Sequence, residues 1–175
     1  MSATELKEAI RTIPDFPKPG ILFRDITPLL ENGRLFRQTV DLLAAECAGC
    51  NPSKIVGLDA RGFIFGAALA YKLGLGFVPI RKKGKLPFRT ITQSYDLEYG
   101  AAEFEIHCDS VVPGESVIIV DDLLATGGTA GAAIQLVEKL GARVLKLLFV
   151  LELTGLGGRE HLKSPEVRSL ISFPA

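Results

Sequence analysis

The sequence has no excess of charge of either sign. Lysine plus arginine and aspartate plus glutamate each number 20 among the 175 residues, so the formal net charge at pH 7 is zero. No overall field would attract the protein to nucleic acid or to an anionic membrane, and we expect neither as a partner. Any anionic ligand must be bound by a local site.

Long apolar stretches are missing as well. No uninterrupted apolar run reaches the roughly 18 residues that a membrane-spanning helix needs. The N-terminal MSATELKEAIRTIPDF has an early acidic residue and lacks the apolar core of a secretion signal. These two absences predict a cytoplasmic protein.

Cysteine and histidine are scarce. Cys47, Cys50 and Cys108 are an odd number in a chain without a secretion signal, which favours reduced thiols over a disulfide framework. The motif C-A-G-C at 47–50 is compatible with a redox pair or half of a zinc site, but there is no second such motif. His107 and His161 are not spaced as zinc partners. We favour the interpretation that these cysteines are two small residues closing a helix.

The chain does have enough apolar material for one core. Its length and its 47% of apolar residues fit a single domain spanning 1–175. Predicted strands cover 54–60, 76–81, 116–122 and 144–153, and predicted helices run from Asn32 to Cys47, over 63–74 and over 129–140. Asn32 is the predicted N-cap of the first helix, and Gly74 ends the second. Strands that are apolar on both faces and joined through helices indicate an α/β fold with a central parallel sheet.

One segment departs from this pattern. In AEFEIH (102–107), small or apolar side chains alternate with Glu103, Glu105 and His107. A period of two predicts a half-exposed antiparallel strand, within a hairpin or arm running from about residue 83 to 107.

Two predicted strand ends carry loops rich in glycine and polar groups, at the edge where parallel sheets bind ligands. They are LDARG (58–62) and VDDLLATGGT (120–129). In the second, Gly127 and Gly128 allow backbone N–H groups to turn inward, and Thr126 and Thr129 add hydroxyl donors before a helix N-terminus. This inventory suits a phosphate monoester. The alternative is a flexible turn in which Thr129 caps the helix.

Two common phosphate loops are excluded by residue type. The Walker pattern requires a lysine before its serine or threonine, and GGT has none. The dinucleotide fingerprint requires G-x-G-x-x-G directly after the first strand, which GGTAG does not supply.

Asp121 and Asp122 narrow the choice of ligand. Two uncompensated carboxylates beside a phosphate loop would oppose anion binding, so the ligand must offer hydrogen-bond donors or positive charge between them. A ribose 5-phosphate has neighbouring 2′ and 3′ hydroxyls, and carboxylates accept from both. They would also stabilise positive charge developing at C1′ of the ring.

At this point the chain resembles the type I phosphoribosyltransferases, in which a hydrophobic strand, an acidic pair and a small-residue loop form the binding motif for phosphoribosyl pyrophosphate. The resemblance covers nearly the whole chain and is to the members that use adenine. Besides VDDLLATGGT, matching segments lie at 16–30 (FPKPGILFRDITPLL), 57–66 (GLDARGFIFG), 80–87 (IRKKGKLP), 94–100 (SYDLEYG) and 151–160 (LELTGLGGRE).

The resemblance implies the type I phosphoribosyltransferase fold, with a small N-terminal hood at about 12–34 and a flexible antiparallel arm at about 83–107. It implies transfer of the 5-phosphoribosyl group from phosphoribosyl pyrophosphate to N9 of adenine, giving AMP and pyrophosphate in purine salvage. It also implies a homodimer, and Mg²⁺ carried by the donor rather than held directly by protein ligands.

The resemblance assigns residues to the donor. The ribose 5-phosphate would be held by Asp121, Asp122, Ala125, Thr126, Gly127, Gly128 and Thr129. The leaving pyrophosphate would be held by Ala60, Arg61, Lys82 and Lys85, with Arg61 also catalytic and a strained Ala60–Arg61 peptide turning its N–H inward. The alternatives are that Arg61 is a surface residue beside a helix start and that the run at 81–85 is a solvated loop.

The hood and the arm would serve the base. Phe23 would stack on adenine, and backbone groups near Leu22 and Arg24 would read its edge. Glu98 is the candidate acid near N7, with Tyr99 supporting loop closure. The alternatives are a packed N-terminal loop, begun by two prolines and a glycine, and a solvent-facing glutamate in a hairpin.

Two competing functions remain. Another purine phosphoribosyltransferase, for xanthine or hypoxanthine, would share the donor motif, since only the hood selects the base. A purine-sensing regulator of the same fold would have lost the chemistry, but such regulators need a nucleic-acid-binding surface or module, and this chain has neither.

Overall fold

The computed structural model describes residues 3–97, 100–162 and 165–175. The helices are α1 (Ala3–Glu8), α2 (Thr27–Glu31), α3 (Gly33–Glu46), α4 (Gly62–Leu73), α5 (Gly128–Lys139) and α6 (Gly158–His161). The strands are β1 (Arg11–Pro14), β2 (Leu22–Asp25), β3 (Lys54–Leu58), β4 (Gly76–Lys82), β5 (Thr90–Leu97), β6 (Gly100–His107), β7 (Ser116–Leu124), β8 (Arg143–Thr154) and β9 (Glu166–Pro174).

The main sheet has seven strands in the order β5-β6-β4-β3-β7-β8-β9. Strand β3 lies at its centre and pairs in parallel with β4 and β7, so that Val56 aligns with Val78 on one side and Ile119 on the other. Strands β7, β8 and β9 continue in parallel, whereas β6 pairs antiparallel with both β4 and β5. The predicted α/β architecture with an antiparallel arm is confirmed, in a sheet that is mixed overall.

Helices cover both faces of this sheet, which is why its central strands are apolar throughout. Strand β7 sends Val117 and Ile119 into the core beneath α5, and Ile118 and Val120 into the core beneath α3 and α4. All four side chains are buried. The sheet therefore stabilises the chain from two sides and leaves its carboxyl edge for the loops.

The predicted helix boundaries agree with the structure where a cap determines them. Asn32 caps α3, because its side-chain oxygen accepts from the N–H groups of Arg34 and Leu35 at 3.1 and 3.2 Å. Gly74 ends α4 in the left-handed conformation at φ 68°. Thr27 and Pro28 begin α2, with proline in the first turn where its missing N–H costs nothing.

The prediction that β6 is half exposed is wrong at its centre. Phe104, Glu105 and Ile106 are all buried, and Glu105 is only 3% exposed. The period of two is present in the sequence, but the segment after β4 folds over the face on which Glu105 lies. Its backbone N–H groups at Lys85 and Leu86 donate to the Glu105 carboxylate, which compensates the burial of its charge.

The segment predicted to be the hood contains a small sheet of its own. Strands β1 and β2 pair antiparallel as a two-stranded sheet, with Ile13 opposite Phe23. These short strands, together with α1, α6 and β9, were not predicted. Strand β9 did carry a signal, because its buried residues Val167, Ile171 and Phe173 are separated by even numbers of positions and so share one face.

The cysteines lie away from the carboxyl edge of the sheet. All three are free thiols, and Cys47 follows α3 directly as its C-cap. Burial raises the pKa of the Cys47 thiol to about 11, which leaves it protonated and unreactive near neutral pH. Over the part of the chain that is described, none of the helices has the length and apolar character needed to cross a bilayer.

Candidate active site

A cavity of about 530 Å³ lies where the loops after β3 and β4 meet the end of β7. Its lining residues are Asp59, Ala60, Arg61, Lys82, Tyr95, Phe104, Asp121, Asp122, Leu123, Ala125, Thr126, Gly127 and Thr129. The two loops that the sequence singled out, 58–62 and 120–129, therefore share one cavity. This is the carboxyl edge of the parallel strands, where such sheets bind ligands.

Most of the residues predicted to hold the donor line this cavity. Lys85 and Gly128 are the two that are not among its lining residues. The carbonyl of Lys85 accepts from Arg81 of β4, and its N–H donates to Glu105 of β6. Asp59, Tyr95, Phe104 and Leu123 also line the cavity but were not predicted as site residues, although all four stand in segments that the sequence singles out.

The two adjacent carboxylates lie within β7, as in the predicted strand at 116–122, and the strand continues beyond them to Leu124. Asp121 accepts the backbone N–H of Asp122 at 2.9 Å. Asp122 is buried, and its Oδ2 lies 2.9 Å from Nε of Arg61, forming an ion pair between the two loops. Among the described residues no donor makes a well-aligned hydrogen bond to that Oδ2, so it can still accept one.

The carboxylate pair is electrostatically unfavourable without a ligand. Burial, and after it the charge of Asp122, raise the pKa of Asp121 well above its ordinary value. Burial also raises the pKa of Asp122, while the Arg61 guanidinium opposes that rise. Groups that donate hydrogen bonds to the pair would stabilise its charged form, and neighbouring hydroxyls are such groups.

The loop at 125–129 lines the cavity and leads into the N-terminus of α5. Gly127 has φ 86°, a left-handed conformation that residues with a side chain rarely adopt, and it is the N-cap of α5. Thr129 lies inside the first turn, so it is not the cap that the alternative interpretation required. The N-terminus of α5 therefore lies at the cavity, and the first N–H groups of a helix have no partner within the helix itself.

The turn around α6 supports this loop from behind. His161 Nδ1 lies 2.8 Å from the carbonyl oxygen of Thr126, as a donor in the matching tautomer. A Cβ on Gly127 would lie 2.7 Å from the carbonyl oxygen of Gly158, and a Cβ on Gly158 would overlap that of Ala125. Glycine at both positions therefore allows two backbone segments to pack directly on each other.

The first loop differs from its prediction in one detail. The unusual peptide bond is cis and joins Asp59 to Ala60, one residue earlier than the predicted Ala60–Arg61 peptide. Arg61 has ordinary helical angles, φ −73° and ψ −27°, because it begins α4 as the N-cap. Next to it, Gly62 allows the helix to approach β7, since a Cβ there would lie 2.7 Å from Oδ1 of Asp121.

The structure distinguishes the four cations of the run at 81–85. Arg81 is paired with Asp59 at 3.3 Å, and Lys83 with Glu103 at 2.6 Å. Lys82 lines the cavity and forms no ion pair within the described ranges. Lys82 is therefore the lysine of this run that faces the predicted donor site.

The predicted hood residues reach the site through Phe23. Its ring centroid lies 5.5 Å from Cζ of Arg61, and Phe16 packs edge-on against it at 5.1 Å. The Arg24 side chain is bound elsewhere, donating to Thr12 at 2.6 Å and to a C-terminal carbonyl. Only its backbone is left for the predicted contact with the base. Glu98 and Tyr99 lie outside the described residues.

Comparison with known proteins identifies the family. Residues 29–171 match the model of the Phosphoribosyl transferase domain family. A protein of Carboxydothermus hydrogenoformans named adenine phosphoribosyltransferase is 57% identical over 169 residues, covering 97% of this chain and 99% of that protein.

Solved structures give the same result. The crystal structure of adenine phosphoribosyltransferase from Thermoanaerobacter pseudethanolicus superposes with a TM-score of 0.96 at 51% identity, over 98% of this chain and all of that one. The Saccharomyces cerevisiae adenine phosphoribosyltransferase, complexed with an imino-altritol bisphosphate and adenine, has a TM-score of 0.91 at 46% identity, over 96% of this chain and 97% of its own.

The fold and the site thus define a type I phosphoribosyltransferase, as the sequence predicted. Within that class the chain belongs to the adenine phosphoribosyltransferase family.

Proposed function

We propose that this chain transfers the 5-phosphoribosyl group from phosphoribosyl pyrophosphate to N9 of adenine, forming AMP and pyrophosphate in purine salvage. One observation carries the proposal beyond family membership. The carboxylates of Asp121 and Asp122 share a single cavity with the N–H-rich loop at 125–129 and with the cations Arg61 and Lys82. A ribose 5-phosphate that carries pyrophosphate at C1′ has complementary groups for all three.

The ribose 5-phosphate is bound by the second loop. Backbone N–H groups and hydroxyls of Ala125, Thr126, Gly127, Gly128 and Thr129 hold the phosphate. Asp121 and Asp122 accept from the ribose hydroxyls, and the Oδ2 of Asp122 supports this role because it accepts no well-aligned hydrogen bond from the described residues, although Arg61 lies beside it. As the bond to pyrophosphate lengthens, C1′ gains positive charge, and the two carboxylates stabilise it because they are fixed in place before the reaction.

The pyrophosphate is bound by the first loop and the basic run. Arg61 begins α4 at the cavity wall, and its planar guanidinium can engage two phosphate oxygens at once. Lys82 adds a second charge, Ala60 a backbone N–H, and Lys85 a further donor. To bind the pyrophosphate, Arg61 must separate from Asp122. Donor binding thus replaces the Arg61–Asp122 ion pair by contacts of Arg61 with the pyrophosphate and of Asp122 with the ribose hydroxyls.

Mg²⁺ is proposed as a companion of the donor. Within the described ranges no cluster of three or more His, Cys, Asp or Glu side chains could hold a metal ion alone. The carboxylates of Asp121 and Asp122 are oxygen ligands of the kind this ion accepts, directly or through water, so the site fits an ion whose other ligands belong to the donor. The ion would neutralise charge on the leaving pyrophosphate. Removal of divalent cations by a chelator should stop turnover, and addition of Mg²⁺ without any other metal ion should restore it.

Adenine is proposed to bind between the cavity and the hood. Phe23 stacks on the ring, and backbone groups near Leu22 and Arg24 read the edge of the base. Support comes from the position of Phe23 beside Arg61 and from the binding of the Arg24 side chain elsewhere. Backbone donors and acceptors can distinguish adenine from a 6-oxopurine, because the wrong base leaves a buried polar group unpaired.

We propose Glu98 as the acid that acts on N7, with Tyr99 supporting closure of the arm. A protonated carboxyl at N7 withdraws charge from the purine as N9 forms its bond. Glu98→Gln is expected to lower kcat by at least tenfold and to change the KM for phosphoribosyl pyrophosphate by less than about twofold. Steady-state kinetics measures both, and an unchanged kcat with chemistry rate-limiting would remove Glu98 from the mechanism.

One assay tests the function as a whole. Pyrophosphate release is measured with phosphoribosyl pyrophosphate and Mg²⁺ while adenine, hypoxanthine, guanine and xanthine are offered separately. We expect turnover with adenine and none with the other three bases. Turnover of an oxopurine without adenine would favour a different purine phosphoribosyltransferase, and binding of a purine without turnover would favour a sensing regulator.

We further propose that the chain works as a homodimer and in the cytoplasm. Tyr71 is 91% exposed and Ile64 40% exposed, and seven positions apart they share one face of α4. A groove of about 480 Å³ beside this face is lined by Phe36, Val40 and other residues of α3 and α4. Exposed apolar side chains next to a groove are typical of surfaces that pair in a dimer.

A further inference from the structure

Glu105 on β6 has surroundings that are unusual for a carboxylate. It is 3% exposed and has no lysine or arginine within ion-pairing distance in the described part of the chain. Its partners are backbone groups instead, because Oε1 accepts the N–H groups of Lys85 and Leu86, each at 2.7 Å. Oε2 lies 3.5 Å from the Thr90 hydroxyl. The carboxylate is therefore the acceptor around which the segment at 83–87 folds.

These contacts keep the carboxylate charged. Burial raises the pKa of Glu105, but backbone N–H groups of Leu86, Gly84 and Lys85, with the Thr90 hydroxyl, more than offset this effect. The resulting pKa lies below the ordinary value. At neutral pH the segment is thus held by a full negative charge, and charged acceptors make the stronger hydrogen bonds.

The same segment is held from its other side by Arg81. The Arg81 guanidinium donates to the carbonyl oxygen of Lys85 at 3.2 Å and pairs with Asp59 at 3.3 Å. The peptide groups of Lys85 are therefore bound on both sides, by Glu105 at the N–H and by Arg81 at the carbonyl. Because Arg81 also pairs with Asp59, the segment at 83–87 is linked to the loop at 58–62, which contains Ala60 and Arg61.

Lys82 lies in the sequence between Arg81 and Lys85, which a hydrogen bond joins, and it lines the cavity. We propose that Glu105 is a positioning residue for pyrophosphate, which fixes the backbone at 83–87 and thereby keeps Lys82 directed at the leaving group. This inference rests on the proposed function. Glu105 itself does not line the cavity, and only ligands carrying the pyrophosphate group should depend on it.

Glu103 provides a matched control on the same strand. Two residues from Glu105, it pairs with the side chain of Lys83, whose side chain is 58% exposed. An exposed pair of side chains contributes little to fixing a backbone. The two substitutions Glu105→Gln and Glu103→Gln remove the same charge from the same strand, but only the first acts on the peptide groups of the basic segment.

The test is steady-state kinetics in both directions. Glu105→Gln is expected to raise the KM for phosphoribosyl pyrophosphate, and for pyrophosphate in the reverse reaction, by about tenfold. The KM for adenine and for AMP should stay within about twofold, and kcat should change less than the KM for pyrophosphate. Glu103→Gln should leave all four values within about twofold.

Two further variants separate positioning from loss of folding. Thr90→Val removes only the hydroxyl donor. It should raise the KM for phosphoribosyl pyrophosphate and for pyrophosphate by less than Glu105→Gln does, and leave the KM for adenine and for AMP little changed. Its thermal unfolding midpoint should be close to that of the wild type. If Glu105 acts through Lys82, the effects of Glu105→Gln and Lys82→Ala on the KM for pyrophosphate will be less than additive. Additive effects, or an equal rise in the KM for adenine, would overturn the proposal.

Failure of the proposed function would be recognised separately. A wild-type protein without turnover of adenine contradicts the function, whatever Glu105 does. Binding of pyrophosphate with Mg²⁺, measured by calorimetry on wild type and on Glu105→Gln, still tests the positioning role in that case. Equal affinities for the two proteins would contradict that role.

Discussion

At the scale of single residues, the site holds two carboxylates whose charged forms are unfavourable in the free protein. Asp121 and Asp122 lie side by side in a strand, burial raises the pKa of both, and Arg61 compensates only one of them directly. Such an arrangement costs stability in the free protein, and a fixed, partly dehydrated carboxylate pair is what a developing cation at C1′ requires. Function and stability are therefore opposed at this pair.

Replacement of Asp121 tests that opposition. Because the folded state raises the pKa of Asp121 above its ordinary value of 3.8, the folded protein binds this proton more tightly than the unfolded chain does. The contribution of Asp121 to the free energy of unfolding therefore falls as pH rises above 3.8. Asp121→Asn should raise the free energy of unfolding at pH 7 by about 1 kcal/mol or more and lower kcat/KM. Urea unfolding measures the first effect.

The pH dependence gives this prediction its control. The gain in stability should shrink as pH falls through the raised pKa of the folded state, and it should be smallest well below pH 3.8, where Asp121 is protonated in both states. A variant that is less stable than the wild type at pH 7, or a gain that does not vary with pH, would show that the carboxylate carries no such cost.

At the scale of elements, the site depends on close contacts between loops. The turn that begins α6 packs against the phosphate loop through Gly158, and His161 bonds to the carbonyl of Thr126. Arg159 in the same turn pairs with Glu152 of β8 and donates to the carbonyl of Val167 in β9 at 2.7 Å. The last two strands thus fix the turn, and the turn fixes the loop.

Gly158→Ala tests this support. The new Cβ would overlap the carbonyl oxygen of Ala125, and because that obstacle is backbone, the loop itself must shift. The variant should lose about 1–3 kcal/mol of stability and bind AMP at least tenfold more weakly, with adenine affinity little changed. Gly131→Ala in α5 is the control, since its Cβ meets nothing within 4 Å and should stabilise the helix slightly. Equal AMP affinity for both variants would contradict the support.

How far the sequence predicts the structure also becomes clear at this scale. The central strands and long helices follow from apolar runs, from Asn32 as a cap and from Gly74 as a stop, because local preferences and burial agree there. The cavity lining followed from the two loops that share one sheet edge. Glu105 was assigned to a half-exposed face because it alternates with apolar residues. It is buried instead because backbone N–H groups of the segment after β4 bind its carboxylate, and no residue pattern indicates such partners.

The same limit explains the smaller errors. Strands β1 and β2 are only four residues each, too short for a period to be recognised, and they are stabilised by pairing with each other. The support of the phosphate loop by Gly158 is a tertiary contact between segments about thirty residues apart. The motif LGGRE at 156–160 was noted by resemblance, but nothing in its composition indicates what the glycines contact.

At the scale of the whole molecule, the exposed face of α4 bears on assembly. Arg61 caps the helix at the cavity, and Ile64 and Tyr71 lie on its exposed side. A partner seated on this face would therefore lie close to the active site, and assembly would restrain the helix that carries Arg61. The single-domain organisation stays a prediction, and the homodimer a proposal.

Tyr71→Glu tests the dimer. A charge placed at the centre of an apolar interface should weaken association about a hundredfold or more, because it must be buried or exclude the partner. Sedimentation velocity over a range of concentrations measures this. Val112→Glu, at another exposed apolar residue, is the control and should not change the sedimentation coefficient. A wild type that sediments as a monomer at all concentrations would contradict the homodimer.

A crystal structure with AMP bound tests the central claim most directly. The claim is that the carboxylate pair and the loop at 125–129 bind one ribose 5-phosphate. We expect the phosphate within about 3 Å of backbone N–H groups of the loop, and the ribose hydroxyls within about 3 Å of Asp121 and Asp122. Arg61 should have separated from Asp122. An AMP molecule whose phosphate lies outside this loop, or whose ribose hydroxyls point away from both carboxylates, would contradict the account.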